Sequence, residues 1–504
     1  MPTLSAYDGC ELAYHLVGEG EPLICLPGGP MRASAYLGAL GGLSRVRRLV
    51  LLDLRGTGGS ALPEDPSSYR CDRLVDDIEA LRTHLGLERI DLLGHSAAGN
   101  PAALYAAIHP QRLRSLTLVA PGTRAVGLPV TDQDLRDAAT AHAHEPWYPD
   151  ARAALEEILA GRATAKARSA CTPLTYGRWD AKAQAHAAAT QPAEDAAALF
   201  YPSEGFDPAP TVAALREVTA PVLVLAGEYD GGPTPDLAAR LAALFPHAEF
   251  AVQRGAGHYP WIDDPGAFTR TVATFLDPEV SSVRAGGVRL AYRTWGDPAA
   301  PPVVLAHGRC GDSRDWTGVA ERLAARHRVY ALDFRGHGLS DWPGRYSFEL
   351  FRDDLHGFLE ARNLAGATVI GHSMGGAAAL LLAEQQPGLI GSLVIEEAPP
   401  LLPLDPPRPR ARRPEGPLGY DWPVIPAIDA QLNEPDPAAR ERLGEITAPT
   451  LVVGGTRSHV DQRQLAWLAE QIPGGRYVPV DASHLVHTDN PDAFLTALHT
   501  FGIG

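Results

Sequence analysis

No run of apolar residues in this 504-residue chain approaches the ~18 that a membrane-spanning helix needs. The opening stretch, MPTLSAYDGCELAYH, has neither the basic start nor the apolar h-region of a secretory signal. Cysteine is scarce. Cys10, Cys25, Cys71, Cys171 and Cys310 are scattered, odd in number and without metal-ligand spacing, which points to free thiols in a reducing cytoplasm. Basic charge is in deficit: 44 Lys and Arg against 60 Asp and Glu leave a formal net charge of −16. That balance argues against nucleic acid and against an anionic membrane surface as the main partner. The one basic run, RPRARR (408–413), reads as a solvated loop. The expectation is a cytoplasmic protein that acts on a small molecule.

What the chain does contain is a globular composition, 45% hydrophobic and 21% charged, and an internal repeat. DLRGTGGS begins at Asp53 and DFRGHGLS at Asp333, 280 residues apart; LPGGP at Leu26 and AHGRC at Ala306 keep that offset. LLGHSAAG and VIGHSMGG place Ser96 and Ser373 at an offset of 277. EVTAPVLVLAG and EITAPTLVVGG are 228 apart, and GAGHYPWIDDPGAF and DASHLVHTDNPDAF place His258 and His484 226 apart. The repeat is therefore nearly rigid up to the serine, loses about 50 residues, and is nearly rigid again. A shared core with a variable insertion behaves in this way, because loops tolerate length change and packed strands do not.

In each copy, short apolar runs bounded by turn signals alternate with helical patterns, which predicts a mostly parallel sheet with helices on both faces. The boundary falls near FLDPEVSS (275–282), giving domains 1–277 and 278–504. So short a junction suggests that the two copies pack as a fused dimer would.

The chemistry-bearing residues recur with the repeat. Ser96 and Ser373 each follow a strand and precede a helix rich in small residues, the setting of a nucleophile elbow. The second copy reads Gly371-His372-Ser373-Met374-Gly375 in full; the first has Ala98 in place of the last glycine, with Gly99 after it. His258 and His484 lie in polar turns before the last helix, where an imidazole can take the serine proton. His459 and His487 are nearby competitors, but Tyr229 and Trp261 occupy their places in the first copy. Asp230, directly after VLVLAG, completes the first set in the order serine, acid, histidine. An oxyanion hole is expected from the backbone N–H groups of Ala97 and Met374, after the serines, and of Gly29 and Arg309, in the early glycine loops. In the second copy Ser458 stands where Asp230 should be, which leaves Glu396, Glu397 and Asp461 as candidate acids.

On these motifs, over essentially the whole chain, each half resembles the α/β-hydrolase fold family. The first half is most similar to the proline-iminopeptidase-type branch, through PGGP and DLRGTGGS, with Pro27 where that branch usually has histidine. The second is similar to esterase, thioesterase and lactonase-type members, through GHSMGG. The resemblance implies two tandem α/β-hydrolase domains, each with a helical cap before the seventh strand, at about 122–215 and about 401–440. HEPWYPD (144–150) and YGRWD (176–180) either line the first pocket or pack the cap on the core. The resemblance also implies a serine hydrolase, of carboxylic-ester or aminopeptidase-like type, that needs no metal or cofactor. Branches whose acid follows the sixth strand align EEAP so that Glu396 becomes the second acid. Two other readings stay open: a non-hydrolytic enzyme on the same fold (lyase, cyclase or cofactor-free oxygenase), or one catalytic domain beside a structural partner.

Overall fold

The computed structural model describes residues 1–189, 194–201, 207–403, 406–415 and 418–503. Parts of both expected caps, at 190–193, 202–206, 404–405 and 416–417, lie outside the described residues. The chain divides into two compact units, Met1–Leu276 and Asp277–Gly504. No helix among the described residues is long and apolar enough to cross a membrane.

The first unit is built on β1 (Thr3–Ser5), β2 (Glu11–Val17), β3 (Pro22–Leu26), β4 (Arg48–Leu52), β5 (Ile90–His95), β6 (Leu113–Val119), β7 (Val222–Gly227) and β8 (Ala248–Gln253). The second uses β9 (Val280–Ala285), β10 (Val288–Trp295), β11 (Pro302–Ala306), β12 (Arg328–Leu332), β13 (Thr368–His372), β14 (Ser392–Glu396), β15 (Thr450–Gly455) and β16 (Arg476–Val480). Each set forms one eight-stranded sheet, ordered β1-β2-β4-β3-β5-β6-β7-β8 and, equivalently, β9-β10-β12-β11-β13-β14-β15-β16. The first two strands of each sheet are antiparallel additions and the other six run parallel. Two tandem α/β-hydrolase folds result.

The inner strands are continuous apolar runs because the sheet is covered on both faces. In β3, Ile24 and Leu26 join one core layer while Leu23 and Cys25 join the other. In β11, Val304 and Ala306 face one layer and Val303 and Leu305 the opposite one. Both insertions fall between the sixth and seventh strands. Among the described residues the first carries six α-helices, from Asp132–Ala139 to Pro208–Leu215, and the second one α-helix, Val424–Asn433.

The repeated D-x-R-G-x-G-x-S motif is structural. Asp53 accepts hydrogen bonds from Ser34 N and Oγ (2.8 and 2.7 Å) and from Gly59 N (2.9 Å). Asp333 accepts from Ser313 N (2.6 Å) and Leu339 N (2.9 Å). The motif serines, Ser60 and Ser340, each donate to the aspartate carbonyl at 2.6 Å and accept from the second strand, at Ala13 N and Ala291 N, at 2.8 Å. Gly58 and Gly338 turn at φ 52° and 48° directly over the aspartate carboxylates, where a Cβ would collide. Arg55 is buried against Asp77, and Arg335 against Asp354 with Nε to Oδ1 at 2.9 Å. The motif thus clamps the loops after the third and fourth strands to the antiparallel edge and to the first long helix.

Removing one partner of such a pair strands a charge in the core, at a cost of about 3–5 kcal/mol. Arg335→Ala is therefore expected to shift the urea unfolding midpoint strongly downward. Arg457→Ala, which breaks the exposed pair with Asp481, should leave the curve in place.

Candidate active site

Strand β5 ends at His95, and Ser96 follows with φ 55°; β13 ends at His372, and Ser373 follows with φ 49°. A positive φ at a non-glycine residue is strained and persists only where its surroundings over-determine it. Here a buried parallel strand delivers the chain into a helix within one residue. The first helix is entered through a 3-10 turn, Ser96–Ala98, before Gly99–Ile108; the second begins at once, Met374–Gln385. The first elbow therefore forms with Ala98, fully buried, in place of the second glycine.

In the first domain the serine is wired to a histidine and an acid. Ser96 Oγ lies 2.7 Å from His258 Nε2, and His258 Nδ1 lies 2.8 Å from Asp230 Oδ2. Asp230 is buried, and its other oxygen accepts from Gly232 N at 2.9 Å. Because the carboxylate accepts a hydrogen bond from Nδ1–H, Nε2 is the basic nitrogen and accepts from the serine hydroxyl.

A second chain of bonds, unforeseen from sequence, supports this one. Gly28 N–H donates to Tyr36 Oη (2.7 Å), Tyr36 O–H donates to His95 Nδ1 (2.6 Å), and His95 Nε2–H donates to the His258 carbonyl (2.9 Å). A carbonyl can only accept, so the His95 tautomer is fixed, and burial holds its pKa well below the ordinary value. A Cβ on Gly28 would lie 2.6 Å from Ser96 Cβ, so the early glycine loop rests against the nucleophile. The signal was the shared His-Ser of GHSAAG and GHSMGG, which pattern matching treats as a flank of the elbow.

The second domain repeats the arrangement with a different acid. His372 Nε2–H donates to the His484 carbonyl at 2.9 Å, and burial pulls its pKa down to about 4. His484 Nδ1 lies 3.0 Å from Glu397 Oε2, not from Glu396. Glu397 also accepts from Gly455 N (2.6 Å), Gln462 Nε2 (3.3 Å) and Ser458 Oγ. Burial would raise the Glu397 carboxyl, but these hydrogen bonds outweigh it and hold its pKa below the usual range. Among the described residues no hydrogen bond joins Ser373 Oγ to His484.

Glu396 was the expected acid, and strand parity corrects it. Alternate residues of a strand face opposite sides. Glu396, the last residue of β14, therefore shares the face of Val394, in the core layer that holds Trp316 and Val486. There it accepts from His487 N and Nδ1 (2.9 Å to Oε1), while the His487 ring stacks on Trp316 at 4.0 Å. Glu397, one residue on with φ 54°, turns out of the strand toward the loop of Ser458. Asp461 caps the helix Gln462–Gln471 and bonds Arg463, away from His484.

In the first domain a cavity of about 430 Å³ reaches this machinery. Asp230, His258, Tyr259, Gly29 and Arg32 line its core side, and Leu135, Leu155, Ile158, Arg168, Leu174 and Tyr176 its cap side. Of the two aromatic stretches expected there, only Tyr176 belongs to the lining. Arg178 and Gly177 pack instead on the 255–263 loop, and Trp147 lies against His142.

The model of the alpha/beta hydrolase fold family matches residues 21–265 and 301–421. The chain belongs to the α/β-hydrolase fold family. It is 26% identical over 276 residues to a proline iminopeptidase of Heyndrickxia coagulans, covering 52% of this chain and 92% of that one. A proline iminopeptidase of Lactobacillus acidophilus is 38% identical over 117 residues, 22% of this chain, which spans only 40% of that relative's length. Among solved structures, the enol-lactonase of Burkholderia xenovorans is 24% identical over 44% of this chain and 99% of its own, with a TM-score of 0.39.

Of the four expected oxyanion donors in this α/β-hydrolase, Ala97 and Met374 occupy first-turn positions whose N–H groups have no intrahelical acceptor. Gly29 follows Gly28, whose own N–H is already spent on Tyr36. Arg309 sits in the equivalent second loop, its side chain held by Asp429 at 2.6 Å.

The buried Glu396–His487 pair makes a pH prediction. Burial alone would raise the Glu396 carboxyl, but the His487 charge and hydrogen bonds hold its pKa below the usual glutamate value. A depressed carboxyl stabilises the fold above its unfolded value and loses that contribution as pH falls through the folded one. Glu396→Gln is therefore expected to lower the melting temperature at pH ~7, and the gap to wild type should close below pH ~4.5. A gap that stays constant down to strong acid would show that the carboxylate charge is not what matters.

Proposed function

We propose that this α/β-hydrolase is a serine hydrolase that cleaves an ester, thioester, lactone or amide of a small molecule through an acyl-enzyme, with the first domain as the main catalyst. The observation that carries this reading is the unbroken line from Ser96 Oγ through His258 to Asp230 at 2.7 and 2.8 Å, opening on a cap-lined cavity.

In this mechanism the Ser96 hydroxyl passes its proton to His258 Nε2 as its oxygen attacks the carbonyl carbon. Asp230 keeps the imidazole in the required tautomer and stabilises the imidazolium. The N–H groups of Gly29 and Ala97 receive the oxyanion. His258 then returns the proton to the leaving group as the tetrahedral intermediate collapses. A water molecule repeats both steps, releasing the acid and restoring Ser96.

The second domain carries the same roles on Ser373, His484 and Glu397, with Met374 and Arg309 as oxyanion donors. Its serine-histidine contact is open, as serine sites without substrate often are. Ser458 stands where the first domain has its acid and holds the relocated Glu397 by its hydroxyl.

A neutral fluorophosphonate probe is expected to label wild-type protein, with Ser96→Ala removing most of the label. Hydrolysis of an activated ester by the first domain should fall at least about a thousandfold in Ser96→Ala. If neither serine is labelled, the serine-hydrolase reading fails and a non-hydrolytic enzyme on the same fold takes its place. Any labelling of Ser373 should be slowed by Glu397→Gln by up to about 10⁴-fold and not by Asp461→Asn. The opposite result would return the acid to Asp461.

A further inference from the structure

The first cavity holds one carboxylate among its described lining residues, that of Asp230, and two guanidinium groups, Arg32 and Arg168. The carboxylate is committed: its two oxygens accept from His258 and Gly232. The two residues come from different parts of the fold, the glycine loop and the cap. Arg32 leaves the glycine loop from the core side. It is buried over the Tyr36 ring at 4.3 Å and donates to Tyr259 Oη at 3.1 Å. Arg168 comes from the cap helix Ala165–Cys171, and among the described residues no carboxylate pairs with it. The other described lining residues are mostly apolar, among them Leu135, Leu155, Ile158, Leu174, Tyr176 and Tyr259.

This distribution decides the sign of the substrate. A substrate bearing an ammonium group would bring a cation toward two guanidinium groups, with no uncommitted carboxylate among the described lining residues to meet it. An anionic substrate meets two planar donors that match a carboxylate in charge and geometry. Arg32 is buried, so its charge is less screened than one on an open surface, while the exposed Arg168 adds a weaker pull. We propose that the first domain takes a carboxylate-bearing acyl substrate, an ester or amide whose far end is a carboxylate held between Arg32 and Arg168. The proposal rests on the hydrolase reading above and narrows it, and it sets this site apart from an aminopeptidase, which must receive a free amine.

The test uses full-length protein carrying Ser373→Ala, so that only the first domain turns over substrate. Three para-nitrophenyl esters of matched length are compared, ending in a carboxylate, a neutral methyl ester or an ammonium group. The carboxylate ester is expected to exceed the neutral one in kcat/KM by about tenfold or more, the range of a charge-assisted hydrogen bond, and to exceed the ammonium ester by more. That ratio should fall toward one in Arg168→Gln or in Arg32→Gln, and Arg168→Glu should shift preference toward the ammonium ester. Arg168 is exposed on the cap, so its variants remain informative if the buried Arg32→Gln fails to fold. A wild-type preference for the neutral or ammonium ester overturns the proposal, as does a ratio that survives both glutamine variants. Labelling of Ser96 by the neutral fluorophosphonate separates the two levels. Label without charge preference sinks only the substrate assignment, and no label sinks the hydrolase reading itself.

Discussion

One bond recurs unchanged in both halves of this protein: the imidazole that precedes each serine donates to the carbonyl of the histidine that serves it. His95 bonds His258 and His372 bonds His484, each at 2.9 Å. The two ends belong to different elements, a central strand and a loop near the C-terminus of the unit, and nothing else in the sequence forces them to the same distance. The bond works because the donor is buried. An imidazole kept neutral by desolvation has one N–H, and its tautomer is set by whatever occupies the other nitrogen. In the first domain Tyr36 fills that role and extends the line to the glycine loop. Ser96, His258 and the glycine loop are thus held in one register, the preorganisation that the proposed mechanism needs.

The acid is the freer member. An acid needs only to bring a carboxylate oxygen to Nδ1 of the histidine, and two strand ends lie close enough. In the first domain it comes after β7, as Asp230; in the second it comes after β14, as Glu397. The residue one place earlier cannot substitute, because the strand is still in register at Glu396 and the pleat sends its side chain to the opposite layer. Glu397 reaches the site by leaving the strand at φ 54°, where Ala120 does the same at φ 45° in the first domain. The backbone turn at this position is therefore common to both copies, and only one copy places a carboxylate on it. Ser458 marks the exchange: too short to carry the charge, it donates its hydroxyl to the residue that does.

Much of this was legible in the sequence. The repeat offsets stayed constant where strands pack and broke where a cap is inserted, so the fold followed from the spacing. The elbow and the first acid were legible because each sits in a local context, strand then turn then helix, that a short window contains. The second acid was not. Choosing between Glu396 and Glu397 depends on parity along β14 and on a single positive φ, and an alternation argument cannot place the last residue of a strand relative to the first that leaves it. Tyr36 escaped notice for another reason. Its hydroxyl meets His95 across the sheet, 59 residues away in sequence, and no motif spans that separation.

The differences between the halves then fall into an order. What the strands and elbows determine is shared to within a residue: the serine φ, the imidazole-carbonyl bond, the aspartate clamp under the glycine turn. What hangs from loops has diverged: the acid and above all the cap. The first cap contributes Arg168, Tyr176 and an apolar wall to the cavity; the second insertion is about 50 residues shorter and supplies Asp429 to Arg309 instead. The first cap thus adds a guanidinium to the cavity lining, whereas the second spends a carboxylate on the Arg309 guanidinium. On such a scaffold the insertions, not the shared strands and elbows, are where two copies can come to differ in what they bind.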